Sequence, residues 1–370
     1  MSQLKAVYTK EFLSDFANQV ATYQASFNTT SFVEDILAGT WDDLSLRERM
    51  KKIATTLEYY LVGSYEEQLP IILKLHEKNR GFNYLFLPDF VSLFGLDKKH
   101  FDLSLGYLKQ LTPYSSSEFA IREFILMDYQ AVFDLLLEWS LDTNEHVRRL
   151  ASEGSRPVLP WGVKLNLFDE FPDISLPILE NLKNDPSLYV RKSVANHLND
   201  LSKKNPDLVV AISKEWQHQS TETDWIIERA NRSLIKQAYP KALALFDYKE
   251  PGTEFSIISS TLETAQPEVA MEEELLFTYR IETTIKKSTP IRLEYGVDYM
   301  KANGKLALKK FHISDGVTDK NTFSGTKKIS FKDLTTRKHY PGEHRIYLFL
   351  NGFKLAETCF ILNKKTNLNS

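Results

Sequence analysis

The chain has 370 residues, of which 42% are hydrophobic and 12% aromatic, and this composition indicates two or three packed domains rather than disorder. Its single cysteine, Cys359, excludes an internal disulfide framework and a cysteine-based metal cluster, and it favours a reducing compartment. The N-terminus lacks the apolar core of a secretory signal, and no window reaches the ~18 apolar residues of a membrane span. We therefore expect a cytoplasmic protein without a membrane partner.

The net charge of −3 conceals two parts of opposite sign. Residues 286–370 contain 17 Lys and Arg against 7 Asp and Glu, a net charge of +10, which leaves −13 for the rest of the chain. A basic C-terminal part predicts contact with a polyanion. A lysine-rich, solvated β-surface that prevents edge-to-edge association explains the same charge, and composition alone favours this second interpretation.

The first 246 residues show the pattern of helices. Apolar residues recur at helical spacing in TKEFLSDFANQVATY, RERMKKIATTLEYYLVG, YEEQLPIILKLHEKN and FDLSLGYLKQL. A repeat then places an arginine near the start of successive helices, at Arg122, Arg148, Arg191 and Arg229, with spacings of 26, 43 and 38 residues. Two of these spacings fit the period of roughly 40 residues that is typical of HEAT-type helix pairs. The N-terminal part is therefore predicted to be an α-solenoid of HEAT-like repeats, with a concave binding surface.

The most informative segment is EHVRRLASEGSRPVLPW, which ends at Trp161. It begins as an amphipathic helix, and we expect Gly154 to end that helix in a left-handed conformation. Arg156 and Trp161 then stand on a segment stiffened by two prolines. Glu153 lies in the last helical turn, where the helix dipole disfavours negative charge by ~0.3–1 kcal/mol, and local conflicts of this kind concentrate at functional sites. A surface pair with Arg149 at i, i+4 explains Glu153 as well.

Basic residues near successive helix starts form a second set of candidates. Together with helix N-termini they are suited to contact phosphates. Arginines that bridge neighbouring helices are the alternative and the commoner role. The set comprises Arg148, Arg149, Arg191, Lys192, Arg229 and Arg232.

Three further polar residues have local structural interpretations. Asn196 and Asn199 either face a nucleic acid or cap a turn. Glu118 follows three serines, so it fits the third position of a capping box that begins at Ser115. The histidines show no metal-ligand spacing, and there is no phosphate-binding or dinucleotide-binding glycine motif. We therefore expect neither a metal nor a cofactor.

The pattern changes after residue 246. A linker is predicted over 247–270, followed by a β-sandwich over 271–370, because short alternating or β-branched segments recur between turn signals. The segments are LLFTYRIETTI, PIRLEYGVDYMKA, LALKKFHIS, KKISFKDL, GEHRIYLFLNG and KLAETCFILN, and the turns are Asn303-Gly304, Asp315-Gly316, Pro341-Gly342 and Asn351-Gly352. The last of these is a strong hairpin signal.

Three motifs together resemble a known family. ASEGSRPVLPW, with SSEFAIREF upstream and LYVRKSVANHLNDLSKKNPDLV downstream, is similar to the AlkC-like branch of the DNA alkylation repair proteins, which are HEAT-like-repeat DNA glycosylases. The resemblance covers residues 5–245. YGVDYMKANGK and KKFHIS resemble the immunoglobulin-like domain that some members carry. The resemblance implies a solenoid glycosylase domain over 1–246 and an immunoglobulin-like, DNA-binding β-sandwich after it.

The resemblance also implies a function. Members remove cationic alkylated bases, chiefly 3-methyladenine, from duplex DNA in base excision repair. Glu153 and Glu118 match the family's carboxylates and are expected to be catalytic, while Arg156 and Trp161 are expected to bind a phosphate near the lesion and to pack against the lesion or its sugar. A cationic base is a good leaving group, so the protein need only stabilise an oxocarbenium-like sugar and orient water. The alternative is a non-catalytic HEAT-repeat DNA-binding or scaffold protein.

Contacts to double-stranded DNA are expected from both parts of the chain. In the solenoid they are Arg148, Arg149, Arg191, Lys192 and Asn196; in the β-domain they are Lys286, Lys287, Lys309, Lys310, Lys327, Lys328, Arg337 and Lys338. We expect a monomer that associates with the nucleoid through DNA.

Overall fold

The structure is a computed structural model that describes residues 2–333 and 338–364. Sixteen α-helices and eight β-strands lie in these ranges, and all the strands follow the last helix. The chain divides into two compact units, Met1–Asn205 with Glu215–Ala230, and Pro206–Lys214 with Asn231–Ser370. Within the described ranges, no helix is both long enough and apolar enough to cross a membrane.

The helices are α1 (Ser2–Lys5), α2 (Lys10–Ala21), α3 (Thr29–Leu37), α4 (Leu46–Tyr60), α5 (Tyr65–Lys78), α6 (Phe86–Phe94), α7 (Phe101–Leu111), α8 (Ala120–Met127), α9 (Tyr129–Trp139), α10 (Glu145–Gly154), α11 (Leu176–Leu182), α12 (Leu188–Leu201), α13 (Pro206–Trp216), α14 (Thr221–Ala230), α15 (Arg232–Lys236) and α16 (Pro240–Leu245). The four amphipathic segments identified in the sequence form α2, α4, α5 and α7, which confirms those predictions.

The first unit is a helical repeat, as the arginine spacing predicted. Alternate helices pack on one another: α6 lies between α4 and α8, α12 lies between α10 and α14, and on the other layer α5 packs on α7 and α9 on α11. The four repeat arginines lie on α8, α10, α12 and α14, so each belongs to the same layer of the repeat. Insertions between helices of this layer are therefore placed to line one face.

Gly154 has a different role from the one expected. Its backbone is helical and it is the last residue of α10, so the prediction of a left-handed helix end at this residue was wrong. A Cβ at this position would lie 2.6 Å from Cγ2 of Ile121 on α8. The glycine is required because α8 and α10 approach each other closely here.

Gly154→Ala is expected to destabilise the chain by about 1–3 kcal/mol, because the new methyl group overpacks the contact with Ile121. Gly106→Ala is the matched control, since Gly106 lies inside α7 and a Cβ there would meet nothing within 4 Å. That control is expected to stabilise the helix by up to about 1 kcal/mol. The free energies of unfolding in urea measure both changes. Equal effects of the two substitutions would contradict the close approach.

The strands are β1 (Ile257–Thr264), β2 (Glu268–Ala270), β3 (Glu274–Thr283), β4 (Thr289–Met300), β5 (Leu306–Thr318), β6 (Thr322–Ser330), β7 (Gly342–Leu350) and β8 (Phe353–Asn363). They form a three-stranded sheet in the order β1-β3-β6 and a five-stranded sheet in the order β2-β8-β7-β4-β5. Both sheets contribute alternate apolar side chains to one core, among them Phe277 and Ile281 from β3 and Val297 and Leu348 from β4 and β7. This is the predicted immunoglobulin-like sandwich.

The turn predictions had mixed outcomes. Asn351 and Gly352 both have positive φ, 50° and 84°, and join β7 to β8, so the predicted hairpin is confirmed. Asp315-Gly316 is not a turn, because both residues lie within β5. The predicted linker, 247–270, contains β1 and β2. The second unit also includes α15 and α16, which precede that segment.

Candidate active site

A pocket of about 330 Å³ lies where the first unit brings α10, α12 and three connecting segments together. Apolar and aromatic side chains form much of its wall, and charged groups are confined to four residues. Its lining consists of Phe82, Leu85, Ser115, Ser116, Glu118, Phe119, Arg149, Glu153, Arg156, Leu159, Pro160, Trp161 and Tyr189. The pocket thus collects Glu118, Glu153, Arg156 and Trp161, which are the four residues that the family motif singled out.

Acidic and basic groups alternate along one side of this pocket. Arg149 Nη1 lies 2.7 Å from Glu118 Oε2, and Arg149 Nη2 lies 3.7 Å from Glu153 Oε1. Arg156 Nη1 lies 2.5 Å from Glu153 Oε1, and its Nη2 lies 2.7 Å from Asp200 Oδ2. Burial alone would lower the pKa of both arginines, but the adjacent carboxylates outweigh it and raise the pKa of each. Both guanidinium groups are therefore permanently charged.

Each pocket carboxylate uses only one of its oxygens for these contacts. Within the described part of the chain, Oε1 of Glu153 makes both of its ion pairs. Oε2 of Glu118 makes the ion pair with Arg149 and accepts the hydrogen bond from Ser116. Glu153 is 6% exposed, so it is not the surface residue that an i, i+4 pair with Arg149 implied. The second oxygen of each carboxylate remains for a bound molecule or water.

Glu118 does not form the predicted capping box. The helix that follows it begins at Ala120, and its N-cap, Phe119, makes no side-chain cap. Instead the carboxylate of Glu118 accepts hydrogen bonds from Ser116 Oγ at 2.8 Å and from Arg149 Nη1 at 2.7 Å. Tertiary pairing with Arg149 thus replaces the local cap.

The loop that carries Arg156 and Trp161 is held by one buried side chain, Arg122 of α8. Its guanidinium donates to the carbonyl oxygens of Gly154 and Arg156 at 2.8 and 2.7 Å. It also donates to the carbonyl oxygen of Val163, from Nε at 2.7 Å. Arg122 is fully buried, and burial lowers its pKa to about 10, so it stays protonated at neutral pH. Both ends of the loop are tied to the same cation.

Trp161 stands out on this loop. It is 48% exposed and has a φ of 66°, a conformation that costs a non-glycine residue energy and that clusters at functional sites. Its ring centroid lies 5.8 Å from that of Phe82. The indole therefore forms an exposed aromatic wall of the pocket.

Arg156 is held by two buried carboxylates. It is 8% exposed, its Nη1 donates to Glu153, and its Nε and Nη2 both donate to Asp200 Oδ2 at 2.9 and 2.7 Å. Lys203 Nζ contacts the other oxygen of Asp200 at 2.8 Å. A guanidinium engaged by two carboxylates is placed to orient Glu153, and the phosphate contact expected of Arg156 stays a prediction.

Most of the predicted solenoid contacts lie outside the pocket. Arg148 forms a two-point ion pair with Asp185, at 2.6 and 3.1 Å. Arg191 donates to the carbonyl oxygens of Asp185 and Pro186. These two arginines link helices and turns, which is the structural alternative that the sequence left open. Arg149 alone of the basic set lines the pocket, while Lys192 is exposed and Asn196 is half-buried.

The basic residues of the β-domain lie mainly on edge strands. Lys309 and Lys310 are on β5 and Lys327 and Lys328 on β6, and each of these strands ends the order of its sheet. Lys309 and Lys310 also line a second pocket of about 570 Å³. Lys310 is half-buried, with Nζ 4.0 Å from the ring centroid of Phe349. Edge lysines of this kind fit both DNA contact and protection against edge pairing.

The remaining predicted contacts are more dispersed. Lys287 pairs with Glu254 at 3.0 Å, whereas Lys286 and Lys338 are exposed. Arg337 lies outside the described residues. The described members of this set are therefore spread over several segments of the domain.

Three residues of the site were not singled out from the sequence as site residues: Arg122, Asp200 and Tyr189. Arg122 was recognised only as a repeat arginine, although its aliphatic neighbours were a signal that it faces the interior. Tyr189 stacks beneath the guanidinium of Arg149, whose Cζ lies 4.4 Å from the ring centroid. Asp200 lies 44 residues from its partner Arg156, so no local pattern connects them.

The fold and the site define a helical-repeat protein with a two-carboxylate pocket and a C-terminal immunoglobulin-like domain. Comparison with known proteins agrees. A family model described as DNA alkylation repair enzyme matches residues 115–234, and one described as the C-terminal Ig-like domain of the uncharacterised protein YhaZ matches residues 259–364. YhaZ of Bacillus subtilis (strain 168) is 41% identical over 354 residues, which is 95% of this chain and 97% of that protein.

Two solved structures extend the comparison. The alkylpurine DNA glycosylase AlkC of Pseudomonas fluorescens, bound to DNA containing an abasic site analog, is 35% identical, with a TM-score of 0.91 over 97% of this chain and 99% of that one. AlkD2 of Streptococcus mutans is 25% identical over 58% of this chain and 98% of its own, with a TM-score of 0.40, too low to support an argument. The chain belongs to the AlkC-like branch of the DNA alkylation repair enzyme family.

Arg122→Lys is expected to destabilise the chain by about 2–5 kcal/mol, because a lysine cannot satisfy the several buried carbonyls of the loop. The backbone N–H groups of Gly162 and Leu165 donate hydrogen bonds within the loop. Their amide hydrogen exchange should accelerate by more than the loss of global stability explains. Arg148→Lys is the control, since its partner Asp185 lies outside the loop. If both variants changed loop exchange equally, the proposed anchoring by Arg122 would be wrong.

Proposed function

We propose that this protein is a DNA glycosylase that excises cationic N-alkylated bases, chiefly 3-methyladenine, from duplex DNA by hydrolysis of the N-glycosidic bond. One observation carries the proposal: two carboxylates and an exposed indole line the same pocket, and each carboxylate has one oxygen outside the ion pairs. The indole suits a flat cationic ring, and the carboxylates suit the positive charge that develops on the sugar. We also propose that the protein acts as a monomer.

The chemistry needs only water as a second reactant. The bond between the sugar C1′ and the base nitrogen breaks, and its electron pair neutralises the cationic base, which leaves. The sugar passes through an oxocarbenium-like state, as in glycoside hydrolysis. Water then forms the new C1′–O bond, and its proton passes to a carboxylate and on to solvent.

Glu153 is the carboxylate best placed to stabilise the sugar cation. It is buried, so its charge acts in a medium of low dielectric constant, where electrostatic interactions are stronger than in water. Arg156 and Arg149 both contact Oε1. Their contacts fix the side chain in one orientation and leave Oε2 for the sugar or the attacking water.

Glu118 has an assisting role in this scheme. It shares Arg149 with Glu153, so the two carboxylates are oriented by one guanidinium. Its Oε1 remains for the water or for the cationic base. Trp161 packs against the lesion or its sugar, and its exposed indole offers the face for that contact.

Duplex DNA is the proposed macromolecular partner. Among the solenoid candidates, we propose the exposed Lys192 and the half-buried Asn196 as backbone contacts. In the β-domain, Lys309 is exposed on an edge strand, and we propose it as a phosphate contact. Phosphate contacts of this type orient a protein on DNA without reading its sequence.

Glu153→Gln is expected to reduce the rate of 3-methyladenine release from methylated duplex DNA by about 10²–10³-fold, because it removes the charge and keeps the shape. Binding of the same DNA, measured by fluorescence anisotropy, should persist because phosphate contacts supply most of the affinity and Glu153 makes none of them. Glu145→Gln is the matched control, on the same helix but exposed and bonded to Ser187, and it should retain release.

Two outcomes would overturn the proposal. Equal release by wild type and Glu153→Gln would remove the role assigned to Glu153. Tight binding of methylated DNA by wild type with no base released would instead favour a non-catalytic DNA-binding protein. Chromatography of the free bases distinguishes the two.

Lys309→Gln is expected to weaken DNA binding at low salt and to lower the slope of log K against log salt concentration by about 0.9, the value for one phosphate contact. Lys354→Gln is the control, because Lys354 lies on β8, inside the sheet order rather than on an edge strand, and is not among the proposed phosphate contacts. An unchanged slope for Lys309→Gln would leave edge protection as the role of that lysine.

A further inference from the structure

A buried histidine outside the ion-pair system supports one residue of the pocket. His76, on α5, is fully buried, and each of its ring nitrogens has a partner. Nδ1 lies 2.9 Å from the backbone carbonyl oxygen of Asn79, and Nε2 lies 2.7 Å from Oγ of Ser115. Ser115 lines the pocket, so this hydrogen bond links His76 to the site.

The partner of Nδ1 determines where the ring carries its proton. A carbonyl oxygen only accepts hydrogen bonds, so Nδ1 must be protonated. Burial lowers the pKa of His76 to about 4, and the ring is therefore neutral at physiological pH, with one proton. It follows that Nε2 is unprotonated and accepts a hydrogen bond.

His76 in turn determines the direction of its hydrogen bond with Ser115. A serine hydroxyl has one proton and two lone pairs. Its proton is donated to Nε2 of His76, so Oγ keeps only lone pairs for a further hydrogen bond. Ser116, the next residue, differs because its hydroxyl donates to Glu118 at 2.8 Å. The two adjacent serines therefore serve different parts of the site.

We propose that Ser115 is a specificity-determining residue, whose Oγ accepts a hydrogen bond from the exocyclic amino group of the bound base, with His76 fixing its polarity. This inference rests on the proposed function and names the substrate class as alkylated bases with an amino group at C6. A base with a carbonyl at C6 would place that acceptor against Ser115 Oγ, which has no proton left to donate. Sites that bond a polar group on one substrate reject the analogue that cannot supply it.

The test uses duplex DNA that contains both N3-methyladenine and N3-methylguanine, which present an amino group and a carbonyl at C6. Wild type should release the adenine lesion in preference. Ser115→Ala should lower the ratio of the two released bases about three- to tenfold, the effect of one hydrogen bond. Ser115→Thr keeps the hydroxyl and should restore the wild-type ratio. Because both bases are measured in one reaction, loss of folded protein does not alter the ratio.

His76→Phe tests whether His76 sets the direction in which Ser115 donates its proton. It leaves Ser115 in place but removes the acceptor of its proton, so the hydroxyl is free to donate to a carbonyl and the ratio should fall as in Ser115→Ala. Thermal unfolding checks that this variant is folded, and the serine variants carry the test if it is not. A ratio unchanged in Ser115→Ala would overturn the proposal. If both bases were then released equally more slowly, the hydroxyl would have a role in positioning water instead.

Binding of free bases separates this inference from the proposed function. Free 3-methyladenine has an amino group at C6 and 3-methylhypoxanthine has a carbonyl there, and calorimetry measures their affinities without any catalysis. Preference for 3-methyladenine in wild type, lost in Ser115→Ala, would support the role of Ser115 even if no base were released from DNA. Release from DNA with equal affinity for both free bases would support the glycosylase and overturn the specificity role.

Discussion

The buried guanidinium of Arg122 is the interaction on which the site depends. The loop after α10 lacks regular structure, so its carbonyl groups have no helix or sheet partners, and unpaired buried carbonyls are costly. Arg122 supplies several donors in one rigid plane and binds carbonyl oxygens at both ends of the loop. One side chain on a neighbouring helix therefore determines where Arg156 and Trp161 stand.

The ion pairs form a second layer that depends on this placement. Asp200, Arg156, Glu153, Arg149 and Glu118 alternate in sign, so each buried charge has an opposite neighbour. Burying a charge without a partner would be strongly unfavourable. The alternation gives both pocket carboxylates a cationic neighbour without using all their oxygens, which suits the stabilisation of a sugar cation that we propose.

Local sequence patterns predicted the elements better than their contacts. Amphipathic spacing identified α2, α4, α5 and α7, and Asn351-Gly352 identified a hairpin, because helix periodicity and positive φ are properties of short segments. The same reasoning failed at Gly154, where a glycine that suits a helix end instead permits a close approach to Ile121. It also missed β1 and β2, and the partner of β2, β8, is distant in the chain.

The sequence by itself determined the helical repeat, the β-rich C-terminal part and the four motif residues that the pocket collects. Only the tertiary structure decided their protein partners: Arg156 contacts two carboxylates, Glu118 pairs with Arg149 rather than capping a helix, and Arg148 pairs with Asp185. The physical reason is distance along the chain. Hydrogen bonds between residues 31–44 positions apart leave no local periodicity, and they form only where the repeat brings successive helices together.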